Sequence, residues 1–172
     1  MSNDKQNSKD NLVPAYQKML TRVGETQKHS ALETLQQHID NAIEKAVEFD
    51  ELTREEAERI GDYLRRDLHD AADFIIDTEQ ALADWVKFDL ELIEERLFEM
   101  FSLMVDQTQL ELANLAERAR QATQWHSGEI TGLGTLFCEN CNKAQHFHKP
   151  DHIPPCPNCG TTQFNRNGEN KK

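Results

Sequence analysis

The chain has 172 residues, 37% of them aliphatic, aromatic or cysteine and 29% charged, with a formal net charge of −12. Even with its seven Gly added, the apolar share falls below the roughly 45–50% of a compact globular domain, a balance that suits helices burying narrow stripes. The acidity lies in residues 1–127, with 14 Lys/Arg against 27 Asp/Glu, whereas 128–172 carry 5 against 4; such a surface repels phosphate backbones and anionic lipid, which makes nucleic acid and membrane poor partners for the first part.

The start, MSNDKQNSKDNL, is polar and lacks the apolar core of a signal peptide, so residues 1–11 are expected to be a disordered tail. Pro14 suits a first helical turn. Leu32, Leu35, Ile39, Ala42 and Ala46 follow a 3,4,3,4 spacing, a heptad seam. Ser30 with Glu33 has the spacing of a capping box and Gly24 marks a weak point, so one flawed helix or two segments are expected between 14 and 49.

Thr53 with Glu56 is a clear restart, with Leu52 and Ala57 placed as a hydrophobic staple. Ala57, Ile60, Leu64, Leu68, Ala71 and Ile75 then share one helix face. From Asp62 to Ser127 there is neither Gly nor Pro, and a pattern of Leu90, Ile93, Leu97, Met100 and Met104 shifts phase to Thr108, Leu112, Leu115, Ala119 and Ala122. Asp77 with Gln80 offers a break, because one helix of that length is against base rates. Trp85, Phe88, Phe98 and Phe101 widen the apolar face. Arg65 and Arg66 among Asp62, Asp67 and Asp70 are expected to form surface ion pairs. The most apolar stretch, LFEMFSLMV at 97–105, is too short to span a bilayer.

After Gly128 the pattern changes. GEITGLGTLF is rich in Gly, residues 144–148 and 161–165 read as short strands, and Pro150, Pro154, Pro155 and Pro157 exclude helix. All four cysteines lie here: Cys138, Cys141, Cys156 and Cys159 form C-x2-C-x14-C-x2-C. Each pair places two thiolates on one tight turn, and two such turns supply the four-sulfur tetrahedron that Zn²⁺ prefers. About 45 residues build too small a core to stand alone, so a structural zinc, one per chain, is expected to hold this unit. A thioredoxin-like reading lacks its βαβ context, and iron in a rubredoxin-like site is the closest competitor. His146, His148 and His152 find no vacancy in a completed thiolate set, and the first two are expected on the solvent face of a strand. No catalytic constellation is visible, and Gly132-x-Gly134 lacks the third Gly of a dinucleotide loop.

The stretches ELTREEAERIGDYLRRDLHD, HSGEITGLGTLFCENC and CPNCG resemble a bacterial family of zinc-ribbon proteins, the YbeL-like family. The resemblance implies a cytoplasmic bacterial protein with a helical N-terminal part and a C-terminal zinc ribbon. It carries over Cys138, Cys141, Cys156 and Cys159 as metal ligands, and implies no activity.

The expected fold is mainly α: an elongated long-helix hairpin or three-helix coiled-coil-like bundle, followed by a small C-terminal β zinc ribbon. The expected divisions are an acidic helical domain over 12–127, a Gly-rich hinge over 128–134, a zinc ribbon over 135–166 and a tail over 167–172. The expected function is a non-enzymatic, cytoplasmic protein-interaction or adaptor module, acting through helical seams on a protein partner or a second copy. A nucleic-acid-associated regulator and an iron redox protein are the alternatives. No membrane partner and no small-molecule substrate are evident.

Overall fold

Capping boxes set where two of the long helices of this chain begin. The computed structural model describes residues 12–30, 33–119, 124–166 and 168. The expected tail over 1–11, the seam positions Leu32 and Ala122, the side chains of Leu112, Leu115 and Ala119, and nearly all of the expected tail over 167–172 lie outside the described residues. Among the described residues four long helices precede the β region: α1 (Leu12–His29), α2 (Leu35–Glu48), α3 (Arg54–Thr78) and, after the short α4 (Leu82–Val86) and a 3-10 turn at Leu90–Leu92, α5 (Glu95–Ala119). The Thr53 capping box forms as its spacing predicts, the hydroxyl accepting from Glu56 N while Glu56 accepts from Thr53 N. The box expected at Ser30 and Glu33 is displaced: Thr34 and Gln37 make it. A carboxylate from across the bundle adds to that end, since Glu111 of α5 accepts from Leu35 N at 2.9 Å. Gly24 is no weak point; it is buried inside α1 with Met100 of α5 against it. The break near Asp77 occurs two residues on, where Glu79 adopts a left-handed conformation and ends α3.

The apolar faces then pack as one helical bundle. Leu35, Ile39 and Ala46 of α2, Ile60, Leu64 and Leu68 of α3, and Met104 and Val105 of α5 are fully buried in a shared core. Each such aliphatic side chain contributes about 1.5–3 kcal/mol by leaving water. Trp85 and Phe101 are buried and stacked on each other, with Phe88 and Phe98 partly buried beside them, so the extra aromatic width closes the bundle's own core. The 79–94 break lets α4 tuck Leu82, Trp85 and Val86 into that core.

The β region is a four-stranded antiparallel sheet in the order β1 (Trp125–His126), β6 (Gln163–Asn165), β3 (Gly134–Cys138), β4 (Ala144–Phe147), with β2 (Ile130–Thr131) paired separately to β5 (Asp151–His152). The sheet therefore begins ten residues before the expected ribbon start at 135. Its small core gathers Trp125, Leu136, Phe147, Ile153, Phe164, Cys138 and Cys156.

The segment expected to be a hinge, 128–134, is instead where ribbon meets bundle. Ile130 and Leu133 belong to the helical core, and Thr131, Gly132 and Gly134 are buried. Gly134 is glycine by necessity: its φ is +113°, and a Cβ there would lie 2.5 Å from the Arg166 guanidinium. The expected surface pairs are equally different. Arg65, Arg66 and Asp67 are buried, and Asp67 has no solvent exposure at all. Tyr16 donates to Asp67 Oδ2 at 2.8 Å, as does Gly132 N at 2.8 Å. Trp125 Nε1, Thr131 Oγ1 and Arg166 donate to Oδ1 at 3.1, 3.3 and 3.3 Å. Arg66 reaches the ribbon too, donating to Glu129 at 2.7 Å and to Ile130 O at 3.0 Å. Sequence spacing placed these charges on a helix; it carried no information about the Trp and Arg that arrive from 58 and 99 residues away to cover them.

Removal of Asp67 should be severe. Asp67→Ala takes the acceptor from the Trp125 indole, the Gly132 N–H and the Tyr16 hydroxyl and the nearest carboxylate from the buried Arg166, and should cost about 3–5 kcal/mol in urea unfolding; a loss under about 1 kcal/mol would show that the network is dispensable. A second expectation concerns pH. Arg22, which is hydrogen-bonded to both oxygens of Glu51, together with Lys18, holds the Glu51 carboxyl down from 4.5 to about 2, against the upward push of burial. A folded-state value below the unfolded one means that this contribution is present above about pH 4.5 and fades as pH falls towards 2. Glu51→Gln should therefore lower the melting temperature at pH 6 and narrow the gap to wild type at pH 3; an equal gap at both pH values would contradict the assignment.

Candidate metal centre

The four cysteines sit on two knuckles with the same backbone. In the first, Cys138 ends β3, Asn142 N donates to Cys138 O at 2.9 Å and Cys138 N donates to Lys143 O at 3.0 Å. In the second, Gly160 N donates to Cys156 O at 2.8 Å and Cys156 N donates to Thr161 O at 2.9 Å. The residue after each second cysteine is left-handed, with φ +59° at Asn142 and +76° at Gly160, which is why Asn and Gly stand there. The pairing of Cys138 with Phe164 across β3 and β6 brings the knuckles face to face.

The four Sγ atoms lie within 4.8 Å of one another. Cys138 and Cys159 are 3.5 Å apart, as are Cys141 and Cys156, so each close contact joins one knuckle to the other. Zn–S bonds of about 2.3 Å imply sulfur separations of about 3.8 Å in a tetrahedron. The four thiols thus converge on one metal-sized centre, and the donor set fits a thiolate-loving ion such as zinc. Among the described residues, no histidine joins them. His146 and His148 are exposed, as the alternation with Phe147 predicts, and His146 Nδ1 lies 2.9 Å from Thr135 Oγ1. His152 Nδ1 lies 3.4 Å from Gly128 O.

As thiols the four are unequal. Burial pushes Cys138 up to about 11. Hydrogen bonds from the Thr161 hydroxyl and the Asn140 amide hold Cys159 down to about 5. The Asn158 amide and then the Lys143 backbone lower Cys141. These contacts cross over: Asn140 of the first knuckle serves a cysteine of the second, and Asn158 of the second serves a cysteine of the first. Both motifs read C-x-N-C, a repeat that marks this pair of amides in the sequence itself. The amides orient the sulfurs and favour the charged form that a metal requires. Metal uptake has to displace the proton that burial favours on Cys138.

The chain matches, over residues 21–168, the family described as a zinc-ribbon containing domain. It is 34% identical over 132 residues to "Uncharacterized protein YbeL" of Escherichia coli strain K12, an alignment that covers 74% of this chain and 79% of that protein. The YbeL proteins of Escherichia coli O6:H1 and O157:H7 align with the same identity and coverage. No solved structure matches the chain. The matched stretch runs from α1 to the last described residue, so helices and ribbon together are the unit that the family shares.

The crossed amides should show in the metal affinity. Asn140→Ala combined with Asn158→Ala should weaken zinc binding about 10–100-fold in competition with a chromophoric chelator, while all four cysteines remain. Unchanged affinity would remove the amides from the site.

Proposed function

The chain belongs to the zinc-ribbon containing domain family, and from that membership we propose that it is a non-enzymatic zinc-binding adaptor of the bacterial cytoplasm, holding one structural Zn²⁺ on Cys138, Cys141, Cys156 and Cys159. Bound there, zinc supplies a fixed cross-link between two knuckles and no open coordination position for chemistry. Four unpaired thiols at such a centre suit a reducing compartment. Among the described residues, no helix is long and apolar enough to cross a membrane.

The observation that carries the adaptor reading is the seating of the ribbon on the bundle. Asp67, Arg66 and Arg166 spend their charges on one another and on the backbone of 130–133, a structural use that holds the ribbon at one angle to the helices. A rigid knob on a helical bar is a shape for contact with a second macromolecule. The seam first expected to serve that contact is internal, since Leu35, Ile39 and Phe101 are buried. What α5 turns outward is Leu103 and Leu110, 48% and 83% exposed and seven residues apart on one face. The contact is assigned to that face. The acidity of the helical part opposes nucleic acid as the partner.

Photo-crosslinking tests the reading. A crosslinking residue at 103 or 110 in the intact chain should trap a discrete adduct in cells, and the same residue at Glu55, exposed on α3, should not. Leu103→Glu with Leu110→Glu should abolish association without moving the melting temperature by more than about 2 °C, whereas Phe101→Glu, which buries a charge, should unfold the bundle. Absence of adducts at both positions, with a monomeric chain, would overturn the adaptor assignment and leave the zinc assignment intact.

A further inference from the structure

Leu103 and Leu110 share their face of α5 with two carboxylates. A helix turns by about 100° per residue, so Glu99, Leu103, Asp106 and Leu110 fall within about 60° of one another and form a single stripe. All four are exposed. The leucines lie about 10 Å apart along the helix axis, and a carboxylate stands one turn before each.

Those carboxylates lack a cation. Glu44, Glu55 and Glu58, on the other helices, are also exposed, but each meets an arginine. Among the described residues neither Glu99 nor Asp106 has such a partner. Gln27 donates to Leu103 O at 3.3 Å, which sets the C-terminal end of α1 beside the stripe. That end brings Lys28 and His29, but also Glu25, which lies 4.0 Å from Arg96 of α5. Glu111 adjoins Leu110 and bonds Leu35 N. The acidic side is in surplus here, in keeping with the 14 Lys/Arg against 27 Asp/Glu of residues 1–127.

Charge decides what covers such a stripe. A second copy is disfavoured: pairing of the stripe with itself brings Asp106 next to the other copy's Asp106 whether the helices run parallel or antiparallel, between chains that each carry −12. Nucleic acid and anionic lipid are repelled. A wholly apolar helix takes Glu99 and Asp106 out of water and returns no cation. A helix with apolar residues on one face and lysines or arginines along its border satisfies leucines and carboxylates together.

We propose that the stripe of Glu99, Leu103, Asp106 and Leu110 on α5 binds a basic amphipathic helix of another protein, its apolar residues over the two leucines and its cations on the two carboxylates. This rests on the adaptor reading and supplies the chemistry of the partner.

Two synthetic helical peptides of about 20 residues are the probes, with one shared apolar face bordered either by Lys or by Glu. Binding to the full-length zinc-loaded chain is followed by fluorescence anisotropy at about 0.15 M salt. The Lys peptide should bind saturably, and the Glu peptide at least about tenfold more weakly. Leu103→Ser with Leu110→Ser should weaken the Lys peptide about tenfold and leave the melting temperature unmoved. Glu99→Gln with Asp106→Asn should weaken it at least about fivefold, whereas Glu55→Gln with Glu58→Gln, which removes the same charge from α3, should change it less than about twofold. Equal losses from the two charge pairs, or no loss from the leucine changes, would overturn the proposal by tracing the attraction to the overall acidity of the chain. No preference for the Lys peptide would overturn it as well, and crosslinked adducts at 103 and 110 would in that case leave the adaptor reading standing.

Discussion

A carboxylate with no access to water has to find its counter-charge and its hydrogen bonds inside the protein, and Asp67 finds them in four separate stretches of chain. Tyr16 comes from α1, Trp125 from β1, Thr131 and Gly132 from the β2 segment, and Arg166 from beyond β6. Two guanidinium groups, those of Arg66 and Arg166, lie 5.0 and 5.1 Å from the Trp125 ring. Arg166 also lies 4.5 Å from Trp85, whose indole N–H is held by Asp70 at 2.8 Å. Replacement of a buried ionic cluster by apolar residues is often neutral or stabilising, so what this one contributes is direction. Its donors meet one carboxylate only when ribbon and bundle dock in a single way.

The rest of the architecture follows from that constraint. Gly132 brings its backbone N–H to Asp67, and Gly134 leaves room for Arg166 to reach Leu133 O at 3.1 Å. Ile130 and Leu133 then continue the helical core, while Trp125 and Phe164 begin the ribbon core a few residues away. The two apolar cores therefore meet across a polar seam that has its own fixed geometry. Strands β3 and β6, which carry the approach to Cys138 and to Arg166, transmit position from the metal centre to Asp67. A metal held by the four cysteines would stabilise a ribbon of this size and, through these strands, support the docking as well.

Local rules were enough for much of this. The Thr53 capping box, the seam from Leu35 to Ala46, the two cysteine knuckles and the outward His146 and His148 all follow from neighbours within a few residues, and the structure has them. The readings that failed share a different cause. Arg66 and Asp67 looked like solvated charges because nothing within a helical turn covers them; their partners arrive from the far end of the chain. The glycines of 128–134 looked like a joint because glycine permits flexibility, but it also permits close approach, and only the opposing surface decides between the two. Trp85 and Phe101 do widen the apolar face, and α4 turns one onto the other inside the core. The paired Asn140 and Asn158 were legible, since both knuckles carry the same C-x-N-C, but their use is visible only once the knuckles face each other.

The central claim is that ribbon and bundle are one cooperative structure joined at Asp67. The direct measurement is amide hydrogen exchange on the intact chain, before and after a strong chelator removes its metal. Loss of protection should spread from the knuckles through 130–133 into α3 around Arg65 to Leu68, while the distal ends of α1 and α2 keep theirs. Exchange that rises only within 134–165, with α3 unchanged, would show two units that fold independently and contradict the account.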